Sequence, residues 1–368
     1  MSTAVSSVES ALGQSAECDS DREPAVTLTL PYPAALPSHR IDLAIAVRDI
    51  VGGADLARTF TDPFARTALR LRLSGGASPA RPGEPAVPLG ARGATSREAE
   101  EYQAEHDRYF QVRRSARGPA HRFVAGLLLA HLAAYEDCLD MGVTLLAEPE
   151  WNLLFAGLDS LLRGAGGGPP ALPAPAGWRA GYDPARRWLT GHQLFFSLIQ
   201  GAIVGLNCFA NAMTAGQKAE ANEGLRFAAA FMRSSAVAMK LASDFAPEDY
   251  ERTVRPDMAP PQVRAGFSGL QTRDHTYLVR LFGALKPVFL TLGPTGTAQT
   301  ELIDSVVSAY AAHEFICSRF RGDVLPSLRM EAASRGKTQR AGTAVIREMM
   351  RARLALIDPA APGRESPS

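Results

Sequence analysis

WLTGHQLFFSLIQGAIVGLNCF, residues 188–209, is the stretch of sequence that decides the fold class. Its apolar side chains recur at spacings of three, four and seven residues, which is the period of one face of an α-helix. The residues on this face are Trp188, His192, Phe195, Ile199, Leu206 and Phe209. The stretch therefore predicts a helix that begins near Trp188.

Helical periodicity extends along most of the chain on both sides of this stretch. The predicted helices cover residues 95–109, 121–141, 222–245, 275–285, 302–320 and 343–354. Residues 95–98 have the spacing of a capping box. Asp274 can cap the helix that starts at His275, and Thr343 is expected to open the last helix. Alternating apolar residues over 26–31 predict one short strand.

Alternation of period two is otherwise nearly absent, and no glycine-rich phosphate loop follows a strand. We therefore expect one mostly α-helical domain over residues 25–357. The stretches 75–88 and 164–184 are rich in Gly, Pro and Ala, and they predict long loops. Residues 1–24 and 358–368 are expected to be mobile tails.

Composition narrows the functional class. The 368 residues are 46% hydrophobic and have a net charge of +1, which argues against nucleic-acid binding. We find no uncharged apolar run near the ~18 residues of a membrane span, the longest candidate being 123–135. The N-terminus has no features of a secretory signal, and the four cysteines form no CxxC pair. We expect a cytoplasmic protein without nucleic-acid or membrane partners.

The run HEFIC, residues 313–317, carries the clearest chemistry in the sequence. At a separation of four on a helix, His313 and Cys317 project from the same side, with Cβ atoms ~5–6 Å apart. A neutral imidazole on an apolar face suits an axial haem ligand, and a thiol one turn away can form one thioether with a porphyrin vinyl group. On spacing alone, a core histidine beside an inert thiol is the commoner arrangement. Zinc is disfavoured because no second ligand pair lies nearby.

A second signal is the segment RPDMAPPQVRAGFSGLQTRDHTYLV, residues 255–279. It resembles a signature of the haem-dependent tyrosine hydroxylases of actinobacterial natural-product pathways. These enzymes belong to the histidine-ligated, tryptophan 2,3-dioxygenase-like superfamily. The resemblance covers about residues 185–355 and includes the HxxxC of His313 and Cys317. It implies a single helical-bundle domain of the tryptophan 2,3-dioxygenase-like type with a bound haem.

The resemblance also implies the haem contacts. His313 matches the helical histidine that ligates iron in the dioxygenases, so it is the expected proximal ligand. Cys317 departs from the dioxygenases, which hold haem non-covalently, and it agrees with a hydroxylase of the family in implying a single thioether. His275 is implied as a second iron ligand, although an exposed helix-start histidine fits the sequence more simply. As a ligand it would have to swing away during turnover, with hinges at Gly266 and Gly269.

Residues that face the substrate are implied in the same way. The segment 192–200 resembles the dioxygenase helix that bears the distal histidine, and Ile199 stands at the position of that histidine. His192 can hydrogen-bond a phenol, or it can be a packing residue. Thr343 matches a Gly-Thr element that meets the amino-acid end of the substrate in the dioxygenases. The alternatives for binding the substrate carboxylate are Arg233, Lys240 and Arg347.

The function implied by the resemblance is the insertion of one oxygen atom ortho to a tyrosine phenol. The substrate 3-methyl-L-tyrosine would become 3-hydroxy-5-methyl-L-tyrosine, a precursor of tetrahydroisoquinoline antibiotics. The expected oxidant is hydrogen peroxide, or dioxygen with a reductant, and a homodimer is expected at family level. Two rival classes stay open: a non-enzymatic, covalent bis-histidine haem protein that carries electrons or acts as a sensor, and a helical scaffold without a cofactor.

Overall fold

The computed structural model describes residues 27–75, 97–166, 172–175, 177, 183–267, 269–292, 296–320 and 341–358. Helices dominate these residues, which confirms the mostly α-helical fold class. The helices are α1 (Arg40–Val51), α2 (Leu56–Thr61), α3 (Pro63–Gly75), α4 (Arg97–Tyr109), α5 (Pro119–Met141), α6 (Glu148–Leu154), α7 (Ala156–Arg163), α8 (Pro184–Thr214), α9 (Lys218–Ala242), α10 (Pro247–Asp249), α11 (Arg255–Asp257), α12 (Arg273–Thr291), α13 (Thr297–Arg319) and α14 (Gly342–Ile357). Short 3₁₀ turns at Pro33–Ala35 and Gly269–Gln271 and a π-turn at Tyr250–Val254 link some of them.

Helix α8 lies in the core and begins at Pro184, about one turn before the predicted start at Trp188. The Asp183 carboxylate accepts hydrogen bonds from the backbone N–H groups of Ala185 (3.0 Å) and Arg186 (3.2 Å), so it caps the helix. A proline at the first helical position is compatible with this cap because its missing N–H would have no partner there. The helix packs against α5, α9 and α12.

The contact between α8 and α9 is close because α8 turns small residues toward α9. A Cβ atom on Gly205 would lie 2.5 Å from the backbone nitrogen of Ala228, a distance that real Cβ atoms do not adopt. The two backbones can therefore approach each other only while this position is glycine. This approach sets the spacing of two walls of the pocket described below.

The prediction that no segment is long and apolar enough to cross a membrane is wrong. Helix α8 has the length and composition of a helix that could cross a membrane, with a mean hydropathy of 1.5 over 18 residues. Of that window, 89% is buried inside the molecule, where α5, α9 and α12 pack against the helix. The apolar composition of α8 is explained by its position in the core.

Asp274 does not cap α12, which corrects the prediction made from the local pattern. The helix begins at Arg273 with Thr272 as its N-cap residue, and Asp274 lies inside the first turn. The Asp274 side chain is fully buried and forms an ion pair with Arg114. Capping rules consider only neighbouring residues, so they cannot predict an ion pair with a residue so distant in the sequence.

Other boundaries differ by smaller amounts. Helix α9 covers 218–242 rather than 222–245, and α14 begins at Gly342, so that Thr343 is its second residue. The predicted tails lie outside the described residues except for residue 358. Most residues of the two predicted loops also lie outside them.

Two short parallel strands complete the described fold. Strand β1 (Leu28–Pro31) confirms the predicted strand, and it pairs with β2 (Val112–Ser115), which the sequence did not predict. The residues of β2, VRRS, lack the apolar alternation by which a strand is recognised. The pairing brings Arg114 of β2 toward the start of α12, where it meets Asp274.

Candidate functional site

A pocket lies between α8, α9, α12 and α13, and residues from all four helices line it. Its described polar side chains are His275, His313, Ser235 and Tyr310. The apolar lining includes Phe195, Ile199, Met232, Leu278, Phe282 and Val306. A concave site with mostly apolar walls and a few polar groups is typical of a site for a small molecule or a cofactor.

His313 lies on α13 and borders the pocket. Its Nδ1 atom is buried and has no hydrogen-bond partner among the described residues. Burial lowers the pKa of His313 to about 3, with smaller effects from His275 and His192, so the ring is neutral near pH 7. A buried nitrogen without a partner is costly, so this atom is a candidate to contact a bound group.

His275 is the third residue of α12, and it is only 9% exposed. It lines the same pocket as His313, so the fold brings together two histidines from different helices. They are far apart in the chain, and neither spacing nor periodicity could predict that they meet. Two imidazoles that share an apolar pocket are a donor set for a transition metal.

Cys317 lies one turn after His313 on α13, as the spacing predicted. It is half-buried, packs against the core and forms no disulfide. It is not among the described residues that line the pocket. Cys317 therefore lies near the pocket but is not part of its described wall.

His192 lies on α8, where its Nδ1 atom is 2.8 Å from the backbone carbonyl oxygen of Trp188. Its ring stacks on Phe110, with centroids 4.8 Å apart and planes inclined by 19°. Burial lowers the pKa of His192 to about 4, so near pH 7 Nδ1 donates its hydrogen and Nε2 keeps a lone pair. A Cβ atom on Gly269 would lie 3.1 Å from Nε2, so the backbone at Gly269 approaches this atom closely. His192 is not among the described residues that line the pocket.

The three cations considered for the substrate carboxylate are already paired. Arg233 lies 3.8 Å from a carboxylate oxygen of Glu301, and the Nε atom of Arg347 donates to Glu314 at 2.7 Å. Lys240 pairs with a glutamate and lies 5.1 Å from the centre of an aromatic ring. None of the three is among the described lining residues of the pocket.

Thr343 is buried in the first turn of α14, and it is not among the described lining residues either. The structure therefore brings His275 and His313 together and places Cys317 nearby, but it leaves Thr343 outside the described lining.

Sequence reasoning missed the contribution of α9 and α14. Met232, Ser235 and Met239 of α9 line the pocket at helical spacing, a signal that the sequence contained. Tyr310 is hydrogen-bonded to Arg353 of α14, and burial raises the pKa of this tyrosine while Arg353 opposes the shift. The Nε atom of Arg353 is buried and has no partner among the described residues. Contacts between distant helices carry no local signal, so only the structure could reveal this pair.

The fold and the site together define a class: a mostly helical protein with two histidines converging on an apolar pocket. The chain matches the family model described as SfmD 3-methyl-L-tyrosine peroxygenase over residues 29–303. It is 30% identical over 349 residues to the 3-methyl-L-tyrosine peroxygenase of Streptomyces lavendulae, covering 90% of this chain and 92% of that protein. The chain belongs to the SfmD 3-methyl-L-tyrosine peroxygenase family.

A solved structure agrees with this assignment. A crystal structure of reduced SfmD, obtained by soaking with sodium hydrosulfite, matches with a TM-score of 0.59 at 26% identity. The match covers 78% of this chain and 96% of that chain. Family membership confirms that the protein is an enzyme, an oxidoreductase of the peroxygenase class, rather than a passive carrier or a scaffold. The match to the family model ends at residue 303, before His313 and Cys317, so it does not cover these two residues.

Proposed function

We propose that the protein is a haem-dependent peroxygenase that converts 3-methyl-L-tyrosine into 3-hydroxy-5-methyl-L-tyrosine for tetrahydroisoquinoline antibiotic biosynthesis. The name of the Streptomyces lavendulae relative supports the substrate and makes hydrogen peroxide the favoured oxidant over dioxygen with a reductant. One observation carries the proposal. The buried Nδ1 atom of His313 has no described partner, and its ring borders an apolar pocket that it shares with His275.

The donor set of the pocket fits a haem. Among the described residues, no group of three or more His, Cys, Asp or Glu side chains is arranged to hold a metal ion. A porphyrin brings four equatorial nitrogens of its own and requires only one or two axial ligands from the protein. Two imidazoles between apolar walls supply those ligands and suit the apolar faces of the macrocycle.

His313 and His275 would hold the iron of the haem, and Cys317 would supply the thiol of a single thioether. The bound haem would supply the oxidising power of the reaction. The protein supplies the axial nitrogens and excludes bulk water through the apolar lining. A tether at Cys317, one turn from His313, would help to hold the group in the pocket.

His192 is assigned the task of orienting the phenol. Its Nδ1–H is committed to the Trp188 carbonyl, and stacking on Phe110 holds the plane of the ring. The neutral Nε2 atom could then accept a hydrogen bond from the phenol hydroxyl. An acceptor here would increase electron density on the phenol ring and favour attack at the ortho carbon.

The amino-acid end of the substrate needs a cation for its carboxylate and a polar group near it. Arg353 is assigned as the cation because its Nε atom is buried without a described partner, beside the pocket residue Tyr310. Thr343 is proposed on the resemblance alone. A homodimer is likewise proposed from the family and from no contact in this structure.

The proposal is tested by adding 3-methyl-L-tyrosine and isotopically labelled hydrogen peroxide to the purified holoenzyme. We expect a haem absorption spectrum and a product that gains one labelled oxygen atom ortho to the phenol. A colourless protein that gives no product would contradict the proposal. Product that carries oxygen only from dioxygen, and only with a reductant, would assign the other oxidant.

A further inference from the structure

A buried ion cluster lies behind the wall of the pocket that carries His275. Arg114 of β2 forms a bidentate pair with Asp274 of α12: Nη1 donates to Oδ1 at 3.0 Å and Nη2 donates to Oδ2 at 2.7 Å. The side chains of Arg114 and Asp274 are 5% and 0% exposed. Asp274 immediately precedes His275, so this pair lies at the base of the proposed second iron ligand.

A second residue of the cluster, Gln200, is the sequence neighbour of another pocket residue. The Nε2 atom of Gln200 donates to Oδ1 of Asp274 at 2.8 Å and to the carbonyl oxygen of Pro31 at 2.8 Å. Both of these partners are acceptors, which fixes the amide orientation with the nitrogen facing them. Gln200 immediately follows Ile199, so the cluster joins the neighbours of two pocket residues, one on α8 and one on α12.

An ion pair and hydrogen bonds also hold the first residue of α12 and the segment before it. Arg273 pairs with Glu100 of α4 at 2.8 Å, and the Gln103 side chain donates to the backbone carbonyl of Gln271 at 2.7 Å. The Tyr102 hydroxyl contacts the backbone carbonyl of Gly266 at 3.5 Å. A backbone hinge between Gly266 and α12 would have to break these contacts together.

The carboxylates around Arg114 keep its guanidinium ionised. Burial alone would lower the pKa of Arg114, but the charges of Asp274 and Asp107 raise it above its ordinary value. Asp107 accepts from Arg114 at 2.7 Å, so the guanidinium has two carboxylate partners. Charge-assisted, bidentate hydrogen bonds in a buried site are among the strongest that side chains make. The first turn of α12 is therefore a rigid support.

We propose that Asp274, held by Arg114 and Gln200, is a positioning residue that fixes the first turn of α12, so that His275 leaves the iron by side-chain rotation and without backbone movement. This inference rests on the proposed function, because it assumes that His275 ligates haem iron. A rigid turn holds the imidazole at one distance from the pocket. The exchange between a bound and a released His275 is then set by its side-chain torsions alone.

The molecule contains a matched control in a second buried cluster. Asp244 is 2% exposed and accepts from the backbone nitrogen of Thr144 at 2.8 Å and from Arg187 at 3.4 Å. Arg187 also pairs with Asp137, as Arg114 does with Asp107. Neither Asp244 nor a sequence neighbour of it lines the described pocket. Replacement of either aspartate by asparagine therefore removes one of two carboxylates from a buried arginine.

The experiment compares Asp274→Asn, Asp244→Asn and His275→Ala with the wild-type holoenzyme. Three quantities are measured: the spin state of the ferric haem, the rate of cyanide binding, and hydrogen exchange in the first turn of α12. We expect His275→Ala to shift the haem toward high spin. Asp274→Asn should shift it partly, speed cyanide binding by about tenfold and raise exchange. Asp244→Asn should lower stability and leave all three quantities unchanged.

The outcomes distinguish the positioning role of Asp274 from the ligation of iron by His275. If His275→Ala changes the spin state and the cyanide rate but Asp274→Asn changes neither, the positioning role is wrong and the proposed function stands. If His275→Ala changes nothing, the bis-histidine assignment fails and the inference falls with it. Equal changes in Asp274→Asn and Asp244→Asn would also overturn the inference, since general loosening would explain both. Should Asp274→Asn fail to fold, Gln200→Leu removes one donor to Asp274 without removing a charge, and the same criteria apply.

Discussion

His131 on α5 and His313 on α13 are histidines within long helices, and burial lowers the pKa of both, to about 4 and about 3. Both ring nitrogens of His131 face backbone carbonyl oxygens, that of Leu127 at 2.9 Å and that of Leu154 at 3.4 Å. The buried Nδ1 of His313 has no such partner among the described residues, and the ring borders a pocket. A lowered pKa thus does not distinguish a packing histidine from a ligand. The hydrogen-bond partners and the adjacent space do.

Removal of each ring should give the largest contrast between the two regions. His313→Ala should lose most of the haem and lower hydroxylation by about 100-fold or more, because the proximal bond is gone. His131→Ala should retain the haem spectrum and lower the free energy of unfolding by about 3 kcal/mol, because it leaves a cavity in the core. Haem content is measured by absorbance and stability by denaturant titration. A normal haem content in His313→Ala would assign the proximal role elsewhere.

The pH dependence of stability should identify His131 as a core residue. Its pKa of about 4 in the folded protein lies below the value of 6.5 in the unfolded chain, so the unfolded chain binds the proton first as pH falls. The stabilising contribution is complete above pH 6.5 and is lost as the pH falls toward 4. A shift of this size corresponds to about 3 kcal/mol.

Denaturant titrations at pH 7 and pH 4.5 measure this loss. The variant His131→Gln should lose less stability between the two pH values than the wild type does. An identical loss in both proteins would mean that His131 does not titrate in this way.

His192, the residue proposed to orient the phenol, offers a smaller test. His192→Phe keeps an aromatic ring on Phe110 but removes the Nε2 acceptor, so we expect kcat to fall by about tenfold, the effect of one hydrogen bond. The matched control is His106→Phe, because His106 also stacks on a phenylalanine, at 4.1 Å, and contacts a carbonyl one turn earlier. Steady-state kinetics with 3-methyl-L-tyrosine measure both variants. An equal loss of kcat in the two would reduce His192 to a packing role.

Cys317 should have the smallest effect on turnover. Cys317→Ala should keep both histidines and most of the hydroxylation, because the proposed role of the thiol is to tether the haem and not to bind iron. Acidified organic solvent should extract haem from this variant and leave it on the wild-type protein, as mass spectrometry of the intact chain can show. Cys138→Ala is the control, since that thiol is fully buried and burial raises its pKa. Haem that is extracted equally from the wild type and from Cys317→Ala would exclude the thioether.

Helical periodicity was sufficient to predict the elements that carry the site. The apolar face of α8 and the stripe on α13 placed His192, His313 and Cys317 on the correct helices, because both patterns are long and regular. The local patterns failed where a distant partner decides the outcome. Aspartate commonly caps helices, but the Asp274 carboxylate accepts hydrogen bonds from Arg114 instead.

The same limit applies to the pocket as a whole. That His275 meets His313 follows from the packing of α12, α8 and α13, which no spacing in the sequence records. Arg347 and the other two cations suggested for the substrate carboxylate each pair with a carboxylate from another helix in the folded protein. A sequence shows which side chains are available, but it does not show which of them are left unpaired after folding.

The most direct test is chemical rescue of His313→Gly by imidazole, beside His131→Gly treated in the same way. A small imidazole can enter the space left by the ring and bind the iron in place of His313. We predict that His313→Gly alone has an altered haem spectrum, that added imidazole restores the wild-type spectrum and hydroxylation, and that His131→Gly is insensitive to imidazole. A wild-type spectrum in His313→Gly without imidazole would contradict the central claim that His313 is the proximal ligand.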